Sequence, residues 1–224
     1  MSNEALIDVA EYIEENLEDE LVSYEVVSYK AGLSEIVLRI KPDQIINALR
    51  FLRDDPECEF EMLVDITATD HPKRHPERFD VVYNLLSLSQ NNRLRIKVAI
   101  AETSQLDSVI ELYPTAGWLE REIWDMFGIP FVGHPDLRRI LSDYGFEGHP
   151  LRKDFPLTGH VEVRWDEEQK RVVYEPVTLT QDFRVFENLS PWEGMTDVMT
   201  LPGDEKAHQP KVGYKSRKLI QGEG

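Results

Sequence analysis

The chain has 224 residues, 41% of them hydrophobic, and 25 Lys and Arg against 42 Asp and Glu give a formal net charge of -17. That length suits one large domain, or a domain with an appendage, burying roughly 70% of its unfolded surface. The charge repels phosphate backbones and argues against nucleic acid as a partner. The lone Cys58 rules out an internal disulfide and argues against a cluster or structural zinc held by this chain's thiolates.

Leu6, Val9, Ala10, Ile13 and Leu17 recur at helical spacing between glutamates and predict a first amphipathic helix. Residues 1–20 lack the basic and apolar regions of a signal peptide and the Arg-rich character of a transit peptide, so the expectation is a protein that stays where it is made. No apolar run reaches the roughly 18 residues that span a bilayer. Alternation over 21–30 and 33–40 predicts two strands joined at Ala31-Gly32. Pro42 suits the first turn of a second helix, with Ile45, Leu49 and Leu52 on one face and Pro56 as its stop.

Three further strands are expected between Glu59 and Ala101, separated by the polar loop 70–78 and by Asn91-Asn92. Ser104 and Asp107 have the spacing of a helix N-cap and predict a third helix over 106–113. Residues 117–127 carry another helical pattern, and 128–159 have no sustained period. Alternation at 161–165 and 171–175 predicts a second hairpin. Beyond Pro191-Trp192 the chain reads as an extended tail whose charge is basic from Lys206 to Lys218. The order predicts an α+β fold: two layers, with a mixed, mostly antiparallel sheet of about five strands packed on helices. The chain then divides into a core domain over 1–115, a helix and loop over 116–160, and a hairpin with a tail over 161–224.

The residues able to carry chemistry are concentrated in 120–156. Arg121 and Asp125 lie four apart on the predicted helix, close enough to pair. Gly-His-Pro occurs at 133–135 and again at 148–150, each followed by leucine and adjacent cations, Arg138-Arg139 and Arg152-Lys153. Two readings fit. His134, His149, Asp136, Asp143 and Asp154 have the donor types of a metal or acid/base cluster, which would make the chain a metal-dependent hydrolase using His134, His149 and Asp136. Alternatively, the histidines are turn residues beside prolines, with acids and arginines bracing an irregular loop. No H-E-x-x-H, paired C-x-x-C or G-x-S-x-G occurs, and neither G-x-G-x-x-G nor G-x-x-x-x-G-K-[ST] is present to hold a dinucleotide or phosphate. Trp118, Trp124, Phe127, Tyr144, Phe146 and Phe155 have the character of core or interface anchors.

The run Glu120–Gly128, with 133–141 and 148–156, closely resembles the signature of the 30 kDa subunit family, the C subunits of the proton-pumping NADH:quinone oxidoreductase of respiratory complex I. Residues 161–164, 171–176 and 190–194 resemble that family's C-terminal hairpin and tail, with His160 standing where tyrosine is expected. The resemblance implies a peripheral-arm subunit with no catalytic residue, cofactor or metal of its own. FMN and iron–sulfur clusters are expected in partner subunits. The implied partners are the D subunit and, nearby, the B and I subunits, with membrane association through partners alone, on the cytoplasmic side of a bacterial inner membrane. It makes 128–159 the candidate contact, with Arg121, Arg138, Arg139 and Arg152 facing carboxylates. Asp125, His134, Asp136, Asp143, His149, Lys153, Asp154 and Trp192 complete the expected interface set. Related subunits of membrane-bound hydrogenases and plastid-type dehydrogenases are the remaining alternative.

Overall fold

The structure is a computed structural model that describes residues 3–28 and 34–181. The expected turn at Ala31-Gly32, Trp192 and the basic tail lie outside the described residues. The chain divides into two compact units, Met1–Val177 and Thr178–Gly224, and every helix and strand among the described residues belongs to the first.

Helix α1 (Asn3–Asn16) places Leu6, Ala10 and Ile13 on one buried stripe, which Leu17 extends just past its end. Strands β1 (Leu21–Ser28) and β2 (Ser34–Ile40) pair antiparallel. A 3-10 turn at Pro42–Gln44 starts α2 (Ile45–Asp54), which buries Ile45, Ala48, Leu49 and Leu52. The Asp55 N–H caps its end on the Phe51 carbonyl. Strands β3 (Met62–Asp70), β4 (Phe79–Ser87) and β5 (Asn92–Ile100) form an antiparallel meander. β5 then pairs parallel with β2, giving one mixed sheet in the order β1-β2-β5-β4-β3. This is the predicted α+β class, with a single parallel pair in an otherwise antiparallel sheet.

The helices cover one face. Ile36, Leu38 and Ile40 of β2, Leu94, Ile96 and Val98 of β5, and Phe79, Val81 and Tyr83 of β4 alternate inward to join the stripes of α1 and α2 in one core. Cys58 is part of it, and burial pushes its thiol up to about 12, so it packs as a small apolar residue.

The expected helix over 106–113 does not form. Leu106–Asp107 is a short strand, β6, parallel to β7 (Phe131–Val132). The Leu106 N–H donates to the Pro130 carbonyl and the Ser108 N–H to the Val132 carbonyl. These strand bonds fix 106–108 in an extended course, and the turn in which the Leu112 and Tyr113 N–H groups meet the Val109 carbonyl follows. The chain then enters α3 (Ala116–Phe127), whose Ile123, Met126 and Phe127 join the same core. Phe127 meets Phe79 edge-on, with ring centroids 6.5 Å apart. After 159 come β8 (Val161–Asp166) and β9 (Arg171–Pro176), an antiparallel hairpin with both faces largely exposed.

Candidate functional site

Gly128 ends α3 in the left-handed conformation, φ +80°, with its N–H on the Trp124 carbonyl. A Cβ there would stand 2.6 Å from Nε2 of His149, so glycine is required both for the turn and for the approach of that ring. Apart from β7, residues 128–159 follow no regular hydrogen-bond ladder, and buried carboxylates organise the loop instead.

Asp125 is the first. Its side chain is fully buried on α3. Oδ2 accepts the N–H groups of Ile140, Leu141 and Ser142 at 3.0, 2.7 and 2.8 Å, and Oδ1 accepts the Ser142 hydroxyl at 2.6 Å and the Arg139 guanidinium at 2.8 Å. Burial opposes its ionisation, but the bonds from Ser142, Arg139 and Leu141 outweigh it and hold the carboxyl well below the usual range. Arg139 also donates to the Gly148 carbonyl and lies over Phe146. His149 donates from Nδ1 to the Asp125 backbone carbonyl at 3.0 Å, with Trp124 edge-on at 5.6 Å. The Asp125 carboxylate thus fixes 139–142, and its backbone carbonyl, through His149, fixes the second arm of the loop.

Glu120, one turn earlier and equally buried, accepts the Ser108 hydroxyl at 2.6 Å and the Val109 N–H at 2.8 Å, tying 108–109 to α3. Burial raises its pKa, against those two bonds. His134 lies close by, its Nε2 donating to the Gly117 carbonyl at 3.0 Å while its Nδ1 accepts the Asp136 N–H at 3.1 Å. Both ring nitrogens are therefore committed to backbone, and His134 and His149 anchor separate points of the loop. Among the described residues no three His, Cys, Asp or Glu side chains form a group able to hold a metal ion.

The third anchor is an ion-pair network between loop and sheet. Arg78, nearly buried, pairs bidentately with the buried Asp70 at 2.8 and 2.9 Å and reaches Glu102 and Asp154, each at 3.1 Å. Arg152 bonds Glu102 and Asp154, and the Lys153 N–H donates to Asp70 at 2.7 Å. Both guanidiniums flank the Phe79 ring. The bonds from Arg78 lower the Asp70 pKa, and those from Arg152 and then Arg78 lower that of Asp154.

Most of the expected interface side chains are thus engaged within the chain. Arg121 and Asp125 do not pair: Arg121 donates to the carbonyls of Arg138 and Arg139 and lies over Trp118. Among the described residues the Arg138 side chain, 74% exposed, holds only the neighbouring Asp136. Asp143 caps the Tyr144 N–H and accepts the Tyr174 hydroxyl at 2.5 Å, and Tyr144 itself is 99% exposed. His160 sits edge-on to Phe155, 5.4 Å away. The residues that sequence reasoning passes over are Asp70, Arg78, Glu102, Glu120 and Ser142. Asp70, Arg78 and Glu102 partner the loop from far along the chain, and their sole hint in the sequence is the charge density of 70–78.

Residues 38–161 match the family model described as the respiratory-chain NADH dehydrogenase 30 Kd subunit. The chain belongs to the 30 kDa subunit family of the respiratory-chain NADH dehydrogenase. The C subunit of the NADH-quinone oxidoreductase of Hyphomonas neptunium is 52% identical over 93% of this chain and 100% of its own length. Its Methylobacterium radiotolerans counterpart is 60% identical over 81% of this chain and 83% of its own length. A chain in the structure of an archaeal membrane-bound sulfane sulfur reductase shares the fold at 25% identity and a TM-score of 0.55, covering 67% of this chain and 85% of that one. As a member of the 30 kDa family the chain is a subunit of an NADH-quinone oxidoreductase and associates with other subunits of that complex. Among the described residues no helix is long and apolar enough to cross a membrane.

Proposed function

We propose that the chain is a non-catalytic bracing subunit of the peripheral arm, holding the quinone-reducing module against its neighbours while other subunits carry FMN, iron–sulfur clusters and the quinone site. The observation that carries this reading is the Asp125 knot, which rigidifies residues 128–159 while Arg138, Leu141, Tyr144 and Leu157 stay exposed on them. A rigid, irregular surface with aromatic and arginine anchors is what a specific protein interface needs. The D subunit is the partner assigned to this loop, with the B and I subunits nearby, on the cytoplasmic side of a bacterial inner membrane. In this reading residues 1–115 provide the scaffold, 116–160 the contact, and 161–224 a second contact that includes Trp192.

The reading is tested by purifying the complex through a tag on this chain, with Arg138→Ala and Tyr144→Ser introduced together. Neither side chain is part of the internal anchors, so the chain stays folded and the yield of the complex, with its NADH:quinone turnover, drops. Unchanged yield and turnover would remove the loop from the interface. The 52–60% identity to NADH-quinone oxidoreductase subunits, against 25% to the sulfur reductase chain, favours the respiratory assembly over related membrane-bound complexes.

A further inference from the structure

The five-stranded sheet has a second face. The buried residues of α1, α2 and α3 all join the core on the opposite side, and among the described residues no helix covers this one. Register sets its side chains in rows across the strands. Arg39, Lys97, Val82 and Thr67 form one row, and Glu25, Val37, Arg95, Asn84 and Asp65 lie in the next. Arg39, Lys97, Arg95 and Asn84 line, with His71, Arg74 and Asp80, a shallow trough of about 540 Å³.

The trough is cationic on a chain whose net charge is -17. Two of its cations are matched: Arg74 pairs bidentately with Asp80 at 2.9 and 2.6 Å, and Arg95 meets Glu35 at 2.9 Å. Arg39 and Lys97, side by side in neighbouring strands, make no hydrogen bond or ion pair within 4 Å among the described residues. Like charges set directly across a strand pair repel, so this pair favours an anion beyond the partial compensation that Asp80 gives Arg39. Val82, on the floor between them, is only 7% exposed, so the charged and polar side chains around it set what the trough presents.

We propose that this open sheet face is a docking surface for an acidic segment of another protein subunit, whose carboxylates meet Arg39 and Lys97. Charge complementarity selects the occupant. A lipid surface or a nucleic acid would present many phosphates to a strongly negative chain and be repelled at long range, whereas a short acidic segment meets only the local positive field. The flanking threonine and amide groups also suit a peptide better than a polyphosphate. Complementary charge of this kind fixes partner and register more than raw affinity.

The inference rests on the reading that the chain works inside an assembly. Its test places a photoreactive benzoylphenylalanine at Thr67 of the full-length chain in native membranes, with the complex then purified and irradiated. A single protein adduct is expected, its attachment peptide rich in Asp or Glu. In an Arg39→Glu, Lys97→Glu variant the adduct yield falls about tenfold, and the charge-conserving swap Arg39→Lys, Lys97→Arg keeps it. An adduct with lipid or nucleic acid, an adduct on a peptide without acidic residues, equal yield after charge reversal, or no adduct in a complex that still reduces quinone would each overturn the inference. Recovery of the chain without other subunits would instead overturn the bracing function itself.

Discussion

The loop over 128–159 and the hairpin β8–β9 hold their shapes by opposite means. The loop has almost no ladder, yet its backbone donors end on a buried carboxylate and its charged side chains on the sheet. The hairpin has a six-pair antiparallel register, but Val163 and Trp165 on one of its faces are 59% and 53% exposed. Among the described residues the Tyr174 hydroxyl ties it to Asp143, while the Val177 N–H on the His160 carbonyl closes its own open end. The contrast teaches that regular secondary structure and fixed structure are separate properties. A ladder supplies local order, and burial with satisfied polar groups supplies the free energy.

The comparison breaks most easily at Asp125. Asp125→Ala strands three backbone N–H groups and the Arg139 guanidinium, and is expected to cost about 4 kcal/mol, at the upper end for a broken buried charged network. Urea unfolding of the complex-free chain, with amide exchange over 139–150, reads the loss. Fast exchange there beside an intact sheet would place the loop as a separately melting unit. Next is Gly128→Ala, which forces a Cβ onto His149 at a positive φ and is expected to cost about 2 kcal/mol. A wild-type unfolding midpoint in that variant would mean that His149 does not hold the loop.

Acid sharpens the contrast. Asp125, Asp70 and Asp154 all have folded pKa values below the ordinary 3.8, so on acidification the unfolded chain takes up protons first. Their stabilisation is complete above that value and drains away as pH falls through the folded values. Glu120 has the opposite sign: burial raises its pKa, so the folded state disfavours its charged form and protonation relieves that cost. The three aspartates outnumber it, so the unfolding midpoint falls with pH in this range, and Asp125→Asn flattens the slope. A slope unchanged by that substitution would move the acid sensitivity elsewhere. The smallest effect belongs to the hairpin: Val163→Thr is expected to change the stability of the chain alone by less than about 0.5 kcal/mol. A larger loss would show that the exposed face is covered within the chain.

The same division decides how much is legible in the sequence. α1, α2 and the first two strands follow from the spacing of Leu6, Ala10 and Ile13, of Ile45, Leu49 and Leu52, and from alternation over 21–40, and the other three strands from runs rich in Val, Ile, Phe and Tyr, because their partners lie on one face of one layer. Residues 106–113 read as helix because the Ser104–Asp107 spacing is a local signal. The bonds that override it come from Pro130, Val132 and Glu120, which no window around 106 contains. For the loop, the position of the site is legible as a dense run of His, Asp and Arg, while its wiring is not. Asp125 finds its partners 14 to 17 residues later, and Asp70 is met by Lys153, 83 positions away. The spacing-based Arg121–Asp125 pair fails for the same reason: a carboxylate offered several backbone donors and a second arginine takes them in preference to one exposed neighbour.

The parallel pairing of β2 with β5 also sets a timetable for synthesis. β2 leaves the ribosome carrying Ile36, Leu38 and Ile40, and its inner neighbour begins at Asn92. At about 5 to 20 residues per second, several seconds pass before that neighbour emerges. Until then the β1–β2 pair has both hydrogen-bonding edges open, and an apolar face that only α1, and later α2, can shield. Nascent chains stalled between residues 54 and 92 are therefore the ones that need a chaperone.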